Sequence, residues 1–124
     1  IIGMLFTIVA FSGYAAANAS WMMYLAMIPG ALGALAGPAM QGIASNQVSA
    51  SQQGELQGGL TSVVSLTSIV SPIVMTQTFS YFTSAAAPIY FPGAAFLLAS
   101  LLTVASLLMF IHATRDLEPP AVET

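Results

Sequence analysis

The residues able to do chemistry are few, and most fall in Gln52–Pro72, QQGELQGGLTSVVSLTSIVSP. This stretch holds Glu55, the sole formal charge between Ile1 and Thr114, flanked by Gln53 and Gln57. A run dense in hydroxyls follows, with Thr61, Ser65 and Ser68 ahead of Pro72. A carboxylate at the centre of a bilayer is costly and marks function. Near a helix start it reaches water and faces the positive end of the helix dipole, worth roughly 0.3–1 kcal/mol. Glu55 opens its segment, so a helix-start contact is the expected role. A gating contact shared with Gln53 and Gln57, or proton carriage, are the sharper readings. Gln41 and Gln77 are uncharged in-span residues that both donate and accept, suited to bonds between helices or to a substrate. His112 is the only histidine and ends an apolar run, which suits a contact with a helix C-terminus. Metal binding needs several ligands at suitable spacing, and no such set is present. With no Ser-His-Asp set, phosphate loop or in-span carboxylate pair, the sequence points away from an enzyme and from a cofactor.

The elements that position these residues must be membrane spans. The chain is 57% hydrophobic and 4% charged, against about 25% charged in soluble domains. So little charge cannot cover a water-facing surface, which leaves the lipid bilayer as the solvent. There is no basic patch to hold nucleic acid, and with no cysteine disulfides and thiolate metal sites are excluded. The chain opens on Ile1, inside an apolar run, and reads as part of a longer protein.

Four segments follow. A span needs roughly 20 apolar residues. Segment a, Ile1–Ala17, is slightly short, as expected if its first turn lies upstream. Its Ala-x-Ala patterns raise a rival reading as a signal peptide, but the basic leading region such peptides carry is missing. Segment b, Trp21–Ser45, is long enough to cross with tilt. Gly30, Ala34, Gly37 and Gln41 follow at spacings of 4, 3 and 4, placing small residues on one helical face, for close packing or for a substrate path. Pro29 and Pro38 each remove a backbone donor and favour a kink. In the polar loop Asn46–Gln53, Ser49 or Ser51 is expected to cap the next helix. Segment c runs from about Gly54 to Tyr81. Val63, Leu66, Val70 and Ile73 form an apolar stripe, while Thr61, Ser65, Ser68 and Thr76 form a polar face. That face serves helix packing or a substrate. Segment d, Ile89–His112, is apolar nearly all round, as in a helix with much lipid contact. Residues 114–124 are expected to be a disordered tail. Segments b and c thus carry the candidate functional surface, and a and d support it.

At segment c the sequence resembles a known family. Gln53-Gly54-Glu55-Leu56-Gln57-Gly58, then Ser65-Leu66-Thr67-Ser68-Ile69-Val70 and Pro72, is similar to the tetracycline-resistance branch of the major facilitator superfamily. Gly37-Pro38-Ala39-Met40-Gln41-Gly42 and Phe91-Pro92-Gly93-Ala94-Ala95-Phe96-Leu97-Leu98-Ala99 look similar too. Ser71 stands where that family usually has glycine, and the b–c loop lacks its basic residues. The resemblance implies a twelve-span drug/proton antiporter of the bacterial inner membrane. Segments a to d would be its last four spans, part of the C-terminal half and inactive alone. It also implies a drug-like small-molecule substrate, protons and the missing N-terminal spans as partners. The proton-carrying acids would lie largely outside this chain. The alternative is a complete small four-span protein, acting as an oligomeric channel or exporter or as a structural subunit.

Four spans put the a–b and c–d turns at one membrane face. Tyr14, Trp21, Tyr24, Tyr81 and Tyr90 all fall towards that face, where such rings favour the interface. The opposite face receives Glu55 and Arg115, which points to it as cytoplasmic. In intact cells, a Ser84→Cys variant is therefore expected to react with an impermeant thiol reagent while Ser49→Cys stays protected; the reverse pattern would invert the topology.

Overall fold

The computed structural model describes residues 1–115, and all regular structure among them is helical. The helices are α1 (Ile2–Ala16), α2 (Ser20–Gly33), α3 (Ala36–Asn46), α4 (Gln53–Thr83) and α5 (Ala94–Thr114). Segment b is α2 and α3 together. Taken as one span, Ser20–Asn46 is long and apolar enough to cross a membrane, as are α4 and α5. The shorter α1 is apolar as well. This is an all-α membrane protein with four apolar segments. Thr114 ends α5 and Arg115 follows it, while the rest of the expected disordered tail lies outside the described residues.

Of the two kinks expected in segment b, the one at Pro38 is a break at Ala34–Leu35, while α2 runs on through Pro29. Pro38 has no N–H to give the carbonyl four residues back, that of Ala34, so the ladder stops there. The chain recovers through a bond from the Leu35 nitrogen to the Leu32 oxygen at 3.4 Å. Pro38 then falls in the first turn of α3, where a missing donor costs nothing. Segment d also departs from expectation. Its helix begins at Ala94 rather than Ile89, because Pro88 and Pro92 hold the preceding residues out of helix. Neither Ser49 nor Ser51 caps α4. The residue before the helix is Gln52, and the Ser49 hydroxyl donates instead to the Gln52 side-chain oxygen at 3.0 Å.

The packing centre is α1, which lies against both α2 and α5. Glycine sets how closely it approaches α2. A β-carbon on Gly33 would lie 2.9 Å from the Thr7 backbone nitrogen and 3.2 Å from the Gly3 carbonyl. One on Gly3 would lie 2.9 Å from the Ala36 β-carbon, and one on Gly13 3.0 Å from that of Ala26. Contact along segment b thus runs through Ala26, Gly30, Gly33 and Ala36. Of the face expected from spacing, Gly30 joins this seam, while Ala34, Gly37 and Gln41 are exposed. The break at Ala34–Leu35 shifts the register, so the four residues do not share one contact. On its other side α1 meets α5 through the buried Ser100. The Ser12 and Ser100 hydroxyls share a hydrogen bond of 2.9 Å, and Tyr14 stacks obliquely on Phe96 with centroids 5.4 Å apart. Gly93 presses on the Ala15 backbone, which brings the a–b and c–d turns to one end, as the aromatic residues require.

Two terms oppose each other when a helical glycine becomes alanine. Helix propensity favours alanine by about 1 kcal/mol, and overpacking costs about 1–3 kcal/mol. Gly33→Ala should therefore destabilise the chain in lipid bilayers, whereas Gly37→Ala, which meets open space, should be neutral or slightly stabilising. Unfolding equilibria in bilayers measure both, and equal losses would refute the seam.

Candidate functional site

The candidate residues lie on α3 and α4. Helix α4 is the longest element, at 31 residues or about 46 Å, well beyond a ~30 Å hydrocarbon core. None of its apolar window is buried, and its contacts are chiefly a modest set with α5. Thr61, Ser65, Ser68 and Gln77 are all exposed. The apolar stripe of Val63, Leu66, Val70 and Ile73 is exposed too. Among the described residues α4 thus presents both its polar and its apolar faces without cover.

Of the expected polar face only Ser68 bonds its own helix, as do several hydroxyls elsewhere on α4. Hydroxyls of Ser62, Thr67, Ser68, Thr78 and Thr83 donate to the carbonyls of Gly58, Val63, Val64, Val74 and Phe79, each at 2.8 Å. Bonds to the carbonyl four residues back are an ordinary resource of Ser and Thr in helices and tend to bend them. A hydroxyl so engaged keeps acceptor capacity for a donor outside the helix.

Two candidate residues from different expected groups meet. The Gln41 side-chain nitrogen on α3 donates to the Gln57 side-chain oxygen on α4 at 2.8 Å. The bond links the two helices across the Gln47–Gln52 connection and fulfils the interhelical role open to Gln41. Glu55 lies in the first turn of α4 and is exposed, as a helix-start contact requires. Gln53 opens the same helix and is exposed, but Gln77 stands more than five turns further along α4, remote from this cluster. Gly37 sits in the first turn of α3 with open space where a side chain would project.

Sequence reasoning missed the Ser12–Ser100 bond, because Ser100 sits inside a run otherwise apolar. The available signal was a lone serine in LLASLLT, whose hydroxyl in lipid bonds either its own helix or a neighbouring one. A groove of about 890 Å³ also went unforeseen. It lies between α1, α3 and the end of α5, with Met4, Phe6, Leu35, Met40, Ile43 and Phe110 in its wall. None of the candidate residues lines it.

Exposed apolar helices of this length, joined by short turns, define a multi-pass membrane protein. Its sequence relatives are more particular. The chain is 42% identical over 71 residues to the class D tetracycline resistance protein of Salmonella ordonez, covering 57% of this chain and 18% of that protein. It is 41% identical over 64 residues to the class C protein of Escherichia coli, covering 52% and 16%. The class H protein of Pasteurella multocida matches over 102 residues at 31% identity, covering 82% of this chain and 24% of that protein. The resemblance to tetracycline-resistance proteins is thereby borne out. The chain spans between about a sixth and a quarter of the length of these curated relatives. No family model and no solved structure matches it.

Because the Gln41–Gln57 bond joins helices with little other contact, its contribution should be measurable in isolation. A double-mutant cycle of Gln41→Ala and Gln57→Ala in bilayers is expected to give a coupling near the ~0.6 kcal/mol average for interhelical bonds in membranes. Zero coupling would leave the pair without a positioning role.

Proposed function

We propose that this chain is the last four spans of a proton-coupled drug antiporter of the major facilitator superfamily, seated in a bacterial inner membrane. The observation that carries this reading is the similarity to tetracycline resistance proteins, which for the class H protein extends across 82% of the chain. The uncovered surface of α4 supports it, since a span at the contact between two halves needs a partner outside these residues. On this reading Gly37, Gln41, Thr61, Ser65, Ser68 and Gln77 line the substrate path. Gln53, Glu55 and Gln57 form a contact at the helix start that gates its cytoplasmic end. Alternating access rocks one repeat against the other around a fixed site, and the missing N-terminal spans supply the opposing wall and the proton-carrying acids. The four spans alone have no second wall and so no transport. The substrate is a drug-like small molecule of the tetracycline type, exchanged for protons.

Cells expressing the full-length protein should accumulate less tetracycline than control cells, while cells expressing this chain alone should match the controls. Glu55→Gln in the full-length protein should keep proton/drug exchange largely intact at normal membrane abundance. Lost exchange would make Glu55 part of proton transfer, and unchanged accumulation with the unaltered full-length protein would remove the export reading.

A further inference from the structure

Pro72 lies inside α4 and has no N–H, so the Ser68 carbonyl four residues back lacks its ordinary helical donor. The Thr67 and Ser68 hydroxyls donate to the Val63 and Val64 carbonyls, and the Ser71 hydroxyl, three residues further on, makes no hydrogen bond to the Ser68 carbonyl. A carbonyl left without a donor in hydrocarbon is costly, and the cost is met by water, a neighbour or a bound molecule. Around this carbonyl the helix surface forms a notch of about 480 Å³. Val63, Val64 and Met75 supply apolar wall, and Thr67, Ser71 and Pro72 complete it. Small-molecule sites commonly combine mostly apolar walls with a few placed polar groups.

We propose that this notch is a ligand subsite in which the Ser68 backbone carbonyl accepts a hydrogen bond from a hydroxyl or ammonium group of an amphipathic small molecule. The inference rests on the export reading for the path that α4 lines, and adds the atom that receives the molecule and the class of group it receives. The Ser71 hydroxyl, beside the carbonyl and half-buried, both donates and accepts and so provides a second contact to the same group. Val63, Val64 and Met75 cover the apolar part of the ligand. Proline creates the acceptor, so any other residue at this position removes that one hydrogen bond and weakens the subsite by returning an N–H to the helix.

The chain contains no cysteine, so a single thiol placed here reports on this position alone. The test uses Ser71→Cys in the full-length protein in membrane vesicles, with cysteines outside this chain replaced, and tetracycline as the probe. Ser71→Cys should react with N-ethylmaleimide, and tetracycline should slow the reaction. Ile69→Cys, on an exposed apolar position outside the notch, should show no such protection. Adding Pro72→Ala should raise the half-protecting tetracycline concentration about fivefold, the value of one neutral hydrogen bond. Pro72→Gly, which also restores the N–H but keeps the helix pliant, should do the same and so separates the acceptor from the kink. A thiol that is unreactive without drug would mean that a partner helix fills the notch. A thiol that is reactive but unprotected would mean that water alone occupies it. Protection unchanged by both proline variants would place the contact elsewhere; each of these three results overturns the proposal. Protection that follows the proline variants in a protein that exports nothing keeps the subsite and removes only the export reading. Export with no protection does the opposite.

Discussion

Close approach of helix backbones along α1 is the constraint on which the rest of the molecule depends. Hydrocarbon gives helices no hydrophobic reason to associate, so contact must come from dispersion and a few polar bonds. Both require short distances, and Gly13 and Gly33 permit them on the α2 side and Gly3 at the start of α3. On the α5 side Gly93 lets the first turn of that helix meet the end of α1, and the Ser12–Ser100 bond fixes the pair further along. The buried residues come from α1, α2 and α5, with none from α3 or α4. A compact three-helix unit therefore holds two elements that it barely touches.

Proline divides the functional elements from that unit. Pro38 halts the helical ladder at Ala34, and Gly37 and Gln41 of α3 lie exposed beyond it. Pro72 sits inside an unbroken helix instead. The difference lies in position: Pro38 becomes part of a first turn, where its missing donor is harmless, whereas Pro72 is flanked by full turns on both sides. One residue type thus ends one helix and leaves a single open acceptor in another.

The sequence made the architecture legible through composition alone, since 4% charge cannot cover a soluble surface. The four segments and the common end for the aromatic residues followed from run lengths and spacing. The seam was harder to read. Spacing singled out Gly30, Ala34, Gly37 and Gln41 as one face, but that presumes an uninterrupted helix, and the break removed Gly37 and Gln41 from it. Gly3 and Gly13 carried no periodic signal strong enough to stand out from their apolar neighbours. The cap at Ser49 failed for a related reason: a long glutamine side chain competed for the serine, and propensities do not weigh such pairs. The Gln41–Gln57 bond was legible in kind but not in partner, because partner choice depends on how the b–c connection folds back.

The hydroxyls of α4 have one more consequence. Because Ser62, Thr67, Ser68 and Thr78 lend their protons to their own helix, moving that surface from one medium to another breaks no donor bond. As far as these hydroxyls are concerned, lipid, water or a neighbouring helix can replace one another without breaking a bond. Such a surface acts as a lubricated bearing, where a rigid row of bonds between helices would act as a lock. Among the described residues, the side with the least cover is also the side whose hydroxyls are committed to their own helix.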